Sequence, residues 1–99
     1  MKLKELLKGI DVIFATADLE MEIRHVRYDS RAVEPGDLFV AVTGYAVDGH
    51  KFIPSVMEKG AAAVLCEHCD GDYPAIVVPD TRIALGKIAR EELKRIGAR

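Results

Sequence analysis

The chain has 99 residues with 14 basic and 16 acidic side chains, so its formal net charge at pH 7 is −2. Both signs are mixed along the chain and leave no basic stripe, which argues against a nucleic-acid partner. This length fits one small domain with a modest core and excludes separate ATP, nucleotide-sugar and amino-acid sites. The chain is therefore expected to be a fragment of a larger enzyme or a protein that only binds.

The sequence contains no run of about 18 apolar residues, which a membrane-spanning helix would need. Charged residues interrupt the first eight positions too often for the apolar region of a signal peptide. The chain has two cysteines, Cys66 and Cys69, which are too few for the disulfide framework of a small secreted domain, so reduced thiols are expected. These features predict a soluble, cytoplasmic protein without a membrane partner.

The first half of the chain predicts one short helix and three extended segments. Leu3, Leu6 and Leu7 recur at helical spacing before Gly9. Residues 12–15 predict a short extended piece, and residues 23–28 predict a strand in which charges separate the apolar side chains. Residues 34–37 read Glu-Pro-Gly-Asp and predict a type II turn. Residues 38–42 are all apolar, which predicts a strand buried on both faces at the centre of the sheet.

The second half predicts two helices around two strands. Phe52, Ile53, Val56 and Met57 form one helical face that ends at Gly60, with Pro54 allowed only in the first turn. Residues 61–66 and 75–78 are apolar runs and predict strands. Asp80 is the expected N-cap of a last helix that ends at Gly97, whose apolar face comprises Leu85, Ile88, Ala89, Leu93 and Ile96. The whole pattern predicts a small single α/β domain, with a mixed sheet of about four to five strands and two or three packing helices.

Ser30 and Arg31 follow the predicted strand at residues 23–28 and suit a diphosphate. A serine hydroxyl, backbone N–H groups and a guanidinium are the donors that such an anion needs. The alternative is structural: Asp29 and Ser30 cap the turn after the strand, and Arg31 pairs on the surface. Spacing alone does not decide between the two.

The loop at residues 44–48 leaves the carboxyl end of the predicted central strand, where ligands of open α/β sheets tend to bind. A uracil ring needs a flat apolar contact together with backbone hydrogen bonds, and Tyr28 with this loop can supply both. The alternative for Tyr28 and Tyr45 is ordinary half-buried aromatic packing.

Two further clusters invite chemical interpretations that the sequence does not favour. Asp48 and His50 could form an acid/base pair, but no nucleophile accompanies them, so a tight turn with His50 capping or facing the next helix is preferred. Cys66, His68 and Cys69 could ligate zinc, but a closed site usually needs a second ligand pair. We therefore expect no catalytic residue and no metal ligand.

ATP-driven chemistry needs a phosphate-cradling loop of the form G-x-x-x-x-G-K-[ST]. The Gly86-Lys87 pair lies inside a predicted amphipathic helix and is followed by Ile88. The chain is therefore expected to hold no cofactor and to be inactive alone.

The motifs Tyr28-Asp29-Ser30-Arg31, Pro35-Gly36-Asp37-Leu38-Phe39-Val40-Ala41, Gly44 and Asp48-Gly49-His50 occur in this order. Together they resemble the amino-terminal domain of the Mur ligases, most closely of the MurE type, and the likeness extends from Leu3 to Leu85. Those cytoplasmic bacterial enzymes add amino acids to the UDP-N-acetylmuramoyl peptide precursor of the cell wall.

The resemblance implies that residues 1–99 form a UDP-binding domain, with the central ATPase and carboxy-terminal domains absent. It implies an ATP- and Mg²⁺-dependent parent ligase in peptidoglycan synthesis, which acts on UDP-N-acetylmuramoyl-L-alanyl-D-glutamate. It places Tyr28, Ser30 and Tyr45-Ala46-Val47 against the nucleotide. With the residues from the patterns above, the expected substrate-binding set is Tyr28, Ser30, Arg31, Gly44, Tyr45, Ala46, Val47 and Asp48.

Two alternatives remain at this point. The MurF type shares the Asp-Ser-Arg and Asp-Gly-His motifs, and a stand-alone nucleotide-sugar-binding module needs no further domain. The choice of lysine or diaminopimelate as third amino acid belongs to a carboxy-terminal domain outside this sequence.

Overall fold

The computed structural model describes residues 1–43, 48–69 and 71–95, and side chains as far as residue 90. Short helical segments alternate with short strands along the chain. Single 3₁₀ turns precede β3 and α2, at Ser30–Ala32 and Gly49–Phe52. The other elements are α1 (Leu3–Leu6), β1 (Phe14–Ala15), β2 (Val26–Arg27), β3 (Leu38–Val40), α2 (Ile53–Glu58), β4 (Ala63–Cys66), β5 (Ala75–Val77) and α3 (Thr81–Arg95).

The strands form one five-stranded sheet in the order β1-β5-β4-β3-β2. Strands β2 to β5 are parallel to their neighbours, and β1 pairs antiparallel with β5 at one edge. This confirms the predicted small α/β domain with a mixed sheet. The prediction that β3 is central is wrong in detail, because β4 occupies the middle position and β3 lies between β4 and the edge strand β2.

Strand β3 is buried on both faces, as its unbroken apolar sequence predicts. Leu38 and Val40 point into one core, and Phe39 points into the other. All three side chains are fully buried. The alternation follows from the two-residue period of a strand, and it requires packed layers on both sides of the sheet.

Helices α1 and α3 cover one face of the sheet, and α2 covers the other. Asp80 caps α3 as predicted, because its carboxylate accepts hydrogen bonds from the N–H groups of Arg82 and Ile83. The predicted apolar face of α3 is partly wrong: Ile88 is buried and Leu85 is half-buried, but Ala89 is exposed, and the side chains of Leu93 and Ile96 lie outside those that the structure describes. Ala84 and Thr81 are buried instead. No described helix is long and apolar enough to cross a membrane.

The predicted turn before β3 is present, with Gly36 at a φ of 88° and the Asp37 N–H donating to the Glu34 carbonyl. The side chain of Asp37 is fully buried, although the sequence places it only in a turn. Its Oδ2 accepts the Glu34 N–H at 2.9 Å and lies 3.4 Å from Nε of Arg27. Asp37 thus links β2 to β3 at the amino end of the sheet.

Candidate functional site

The parallel arrangement of β2, β3 and β4 brings three loops to the same edge of the sheet. Tyr28 follows β2, Val42 lies two residues beyond β3, and Glu67 follows β4. Ligands of parallel α/β sheets bind at this carboxyl edge, because strand ends and loops leave space there for a ligand. The described members of the predicted substrate-binding set, Tyr28, Ser30, Arg31 and Asp48, lie in loops at this edge.

An open groove of about 540 Å³ lies at this edge, and we call it the Ser30 groove. Residues from the loop after β2 form one wall, and residues around the 3₁₀ turn before α2 form the other. Its lining comprises Tyr28, Asp29, Ser30, Arg31, Val42, Gly49 and Phe52. The structure therefore brings together the predicted residues Tyr28, Ser30 and Arg31.

Asp29 organises the backbone beside the groove. Its Oδ1 accepts the N–H of Arg31 at 2.9 Å, which caps the 3₁₀ turn. The guanidinium of Arg31 also donates to both carboxylate oxygens of Asp29, at 3.1 and 3.0 Å. These bonds hold the pKa of the Asp29 carboxyl below its usual value. The structural alternative for Asp29 and Arg31 is thus present in the molecule.

Arg31 nevertheless keeps donors for a ligand, because this pairing uses only two of the five N–H groups of its guanidinium. Its side chain is 88% exposed at the mouth of the groove. Pairing with Asp29 also neutralises a carboxylate that would otherwise repel an anion. The pair is therefore compatible with a phosphate beside it.

Ser30 is a polar residue of the groove, and its side chain is not engaged by the described residues. Within the described part of the chain, its hydroxyl forms no hydrogen bond, although the residue is half-buried. The Ser30 carbonyl accepts a 2.7 Å hydrogen bond from Nζ of Lys59, at the end of α2. Lys59 therefore fixes the backbone of Ser30, and the Ser30 hydroxyl remains available to a ligand.

Tyr28 is 68% exposed, so the alternative of ordinary half-buried packing is wrong for this residue. Its ring lies between the Ser30 groove and a second, mostly apolar groove of about 440 Å³. Val26, Leu85 and Ala89 are among the residues that line this second groove. An exposed aromatic ring between two depressions offers the flat contact that a nucleobase needs.

The predicted loop lies only partly within the described residues. Gly44, Tyr45, Ala46 and Val47 are outside them, so their assignment to the site stays a prediction. Asp48 is described: its carboxylate accepts the His50 N–H at 3.0 Å and caps the 3₁₀ turn before α2. These contacts hold the pKa of the Asp48 carboxyl below its usual value.

His50 is buried, and both of its ring nitrogens have partners. Nε2 accepts the Glu67 N–H at 2.9 Å, and Nδ1 lies 2.7 Å from Oδ1 of Asp48. Because Nε2 accepts, the proton must be on Nδ1. The imidazole therefore joins two loops, a role that the expected capping or facing of the next helix does not include.

Asp48, His50 and His68 form a cluster whose candidate ligand atoms lie within 4.8 Å of one another. A metal-bound histidine donates its other ring N–H to an acceptor, whereas Nε2 of His50 faces a donor. His50 therefore has the wrong second partner for a metal ligand. Burial and the neighbouring Cys69 raise the pKa of the Cys66 thiol to about 12, which opposes the thiolate that a metal would need.

The chain also does not fit an ATP site. The sequence has no G-x-x-x-x-G-K-[ST] loop, and Gly86-Lys87 is part of α3. No step of an ATP-dependent reaction can be assigned to the described side chains.

Sequence patterns missed three residues that shape this edge. Lys59 binds the Ser30 carbonyl, Glu67 binds both His50 and Thr81, and Arg82 donates to the Thr43 carbonyl. Each contact joins residues distant in the chain, so local spacing carries no signal for it.

Comparison with known proteins gives consistent matches. A sequence model described as "Mur ligase family, catalytic domain" matches residues 22–93. The UDP-N-acetylmuramoyl-L-alanyl-D-glutamate--2,6-diaminopimelate ligase of Bacteroides thetaiotaomicron is 46% identical over 93 residues, covering 90% of this chain and 19% of that protein. The UDP-N-acetylmuramyl-tripeptide synthetase of Roseiflexus sp. strain RS-1 is 45% identical, with coverage of 90% and 18%.

Among solved structures, MurF from Acinetobacter baumannii superposes with a TM-score of 0.83 at 28% sequence identity, covering 95% of this chain and 21% of that one. The chain thus spans about a fifth of the length of the relatives that it matches. The family match covers well over half of the chain and includes both walls of the Ser30 groove. The chain belongs to the Mur ligase family.

Proposed function

We propose that this chain is the substrate-anchoring domain of a MurE-type ligase and that the Ser30 groove binds the UDP end of the nucleotide substrate. The Ser30 hydroxyl and the free donors of Arg31 receive the diphosphate. Tyr28 contacts the uracil ring. Asp48 fixes the end of the neighbouring loop by capping the 3₁₀ turn that follows it. Gly44, Tyr45, Ala46 and Val47, in that loop, complete the site.

The observation that carries this proposal is the shared groove. Ser30, with its unengaged hydroxyl, lines the same depression as Val42 and Gly49, which flank the predicted uridine loop. A diphosphate is costly to desolvate unless several donors meet it, and the groove offers such donors beside an exposed aromatic ring.

Binding of the UDP end of the substrate would contribute to catalysis at a distant reacting group. Contacts to a non-reacting part of a substrate help to position its reacting group, here the carboxylate of UDP-N-acetylmuramoyl-L-alanyl-D-glutamate. ATP with Mg²⁺ activates that carboxylate in the proposed enzyme, using residues outside this chain. The proposed enzyme is cytoplasmic and has no nucleic-acid or membrane partner.

A MurF-type parent is the second candidate, because the solved structures with the higher TM-scores are MurF ligases. The relatives with the higher sequence identities are 2,6-diaminopimelate ligases and a tripeptide synthetase, which favours the MurE type. An assay of the full-length ligase separates the two. Addition of a third amino acid to the UDP-dipeptide supports MurE, and addition of D-alanyl-D-alanine to the UDP-tripeptide supports MurF.

The site is tested by calorimetry of the chain with UDP-N-acetylmuramoyl-L-alanyl-D-glutamate. Loss of one hydrogen bond to a charged group in Ser30→Ala should weaken binding about tenfold. Ser55→Ala removes an exposed hydroxyl on α2 and is the matched control, which should bind as the wild type does. Equal affinities of wild type and Ser30→Ala would overturn the assigned site.

A further inference from the structure

Val42 and Gly49, which line the Ser30 groove, belong to two paired chain segments that we call the stem, residues 42–43 and 48–49. Thr43 and Asp48 form an antiparallel bridge, and the Gly49 N–H donates to the Val42 carbonyl at 2.9 Å. A Cβ added at Gly49 would lie 2.8 Å from the nitrogen of Val42. The two segments are thus in direct backbone contact, and any shift of one moves the other.

The first turn of α3 holds both sides of this stem. On one side, Nη2 of Arg82 donates to the carbonyl of Thr43, 39 residues earlier in the chain. On the other side, Oε2 of Glu67 accepts the N–H and the hydroxyl of Thr81, at 3.0 and 3.2 Å. The two attachments come from consecutive residues of one helical turn.

The Glu67 attachment continues to the stem through His50. The Glu67 N–H donates to Nε2 of His50, whose Nδ1 lies 2.7 Å from Oδ1 of Asp48. Thr81 and His50 are both buried, so these bonds are shielded from competing water. The Arg82 and Glu67 contacts therefore end on Thr43 and Asp48, the two residues of the bridge.

We propose that Arg82 and Glu67 are positioning residues for nucleotide binding, which fix the stem to α3 so that the Ser30 groove has its binding shape before the ligand arrives. The proposal rests on the proposed function of the groove. Neither residue lines the Ser30 groove itself, and Arg82 lines the second groove on the other side of Tyr28. Pre-organising a site increases affinity, because the ligand no longer has to order it on binding.

The test measures UDP affinity of the chain by calorimetry, with Arg82→Ala, Arg82→Lys, Glu67→Ala and Arg90→Ala as variants. Arg82→Ala should weaken binding about fivefold, the scale typical of changes that act from outside a site. Glu67→Ala should weaken binding as Arg82→Ala does. Arg82→Lys retains a donor for the Thr43 carbonyl and should restore most of the affinity. Arg90 is an exposed arginine of the same helix, so Arg90→Ala should leave binding unchanged.

A spectroscopic measurement on the ligand-free chain distinguishes positioning from loss of fold. In ¹H–¹⁵N spectra, Arg82→Ala should shift the amide signals of Asp48 and Gly49, while the amide signals of β4 stay in place. Glu67→Ala should shift the same stem signals, and Glu67→Gln, which keeps an acceptor for Thr81, should shift them less.

The outcomes separate this proposal from the proposed function. If the wild type binds UDP and Arg82→Ala and Glu67→Ala bind equally well, the positioning role is overturned and the site assignment stands. If the affinity of a variant falls only as far as its unfolded fraction explains, the positioning role is also overturned. If the wild type does not bind UDP, both proposals fail. Weaker binding with shifted stem signals and rescue by lysine supports the positioning role.

Discussion

The buried imidazole of His50 accepts the backbone N–H of Glu67 at 2.9 Å and so joins the loop after β3 to the loop after β4. The contact fixes the proton on Nδ1, toward the carboxylate of Asp48. A histidine in the Asp-Gly-His motif thus works as a bridge between loops, with neither nitrogen left for acid/base chemistry.

Replacement of His50 by phenylalanine should keep a ring in the core and remove both hydrogen bonds. The Glu67 N–H would then lose its partner, which should lower the free energy of unfolding by about 2 kcal/mol. Urea denaturation followed by circular dichroism measures this change. His68→Phe alters an exposed ring stacked on His50 and is the control. A loss as large in the control would contradict the bridging role.

Asp37→Ala should also destabilise the fold, at the opposite end of the sheet. The substitution removes the acceptor of the Glu34 N–H and the partner of Arg27, so a loss of about 2–3 kcal/mol is expected in urea denaturation. Asp72→Ala, at an exposed position, should change stability by less than about 0.5 kcal/mol. Similar midpoints for the two variants would show that the buried carboxylate does not join β2 to β3.

Gly49 and Gly86 form a matched pair for alanine substitution. A Cβ at Gly49 would lie 2.8 Å and 2.9 Å from backbone atoms of Val42, so Gly49→Ala must displace the stem and lower the melting temperature. A Cβ at Gly86 meets nothing within 4 Å on an exposed turn of α3. Gly86→Ala should therefore stabilise the chain by up to about 1 kcal/mol. Calorimetric melting of both variants checks the opposite signs.

The two cysteines should differ in reactivity. Burial raises the pKa of the Cys66 thiol to about 12, so at pH 8 it stays protonated and shielded. Cys69 is half-buried and accessible to a reagent. Brief treatment with iodoacetamide followed by peptide mass spectrometry should find label on Cys69 only, and the urea-unfolded chain should carry it on both. Equal labelling of the native chain would contradict the described burial.

The Asp29 carboxyl should titrate below its ordinary value, because Arg31 donates to the ionised form. A depressed native pKa stabilises the fold above the unfolded-state value of about 3.9, and this contribution is lost as the pH falls through the native pKa. Carbon-detected NMR titration of Arg31→Gln should return the Asp29 pKa toward the ordinary value. An unchanged Asp29 pKa in the variant would contradict the pairing.

The sequence predicted those features that depend on local pattern. Gly36 at a positive φ, the Asp80 cap and the doubly buried β3 follow from neighbouring residues, and all are present. The predicted position of β3 in the sheet was wrong, because an apolar sequence indicates burial on both faces, and all three inner strands, β3, β4 and β5, are buried in this way. The sequence did not predict the exposure of Ala89. The buried face of α3 runs through Thr81, Ala84 and Ile88, and Ala89 lies beside that face.

The candidate site shows the same division between local and long-range information. Tyr28, Ser30 and Arg31 were chosen from a short motif, and the structure places them in one groove. The sequence could not assign a role at the site to three residues, Lys59, Glu67 and Arg82, because their partners lie far away in the chain. A charged side chain at a surface position predicts only contact with solvent. Such contacts become visible only when the topology brings three strand ends together.

The antiparallel pairing of β1 with β5 has a consequence for how the chain folds. The hydroxyl of Thr16, just after β1, donates to the carbonyl of Tyr73, which is 57 residues later. A ribosome adds about 5–20 residues per second, so the amino-terminal strand must wait several seconds for its partner. Ile13 and Phe14 remain 60% and 55% exposed in the folded chain, so the arrival of β5 pairs the backbone of β1 and does not bury these side chains.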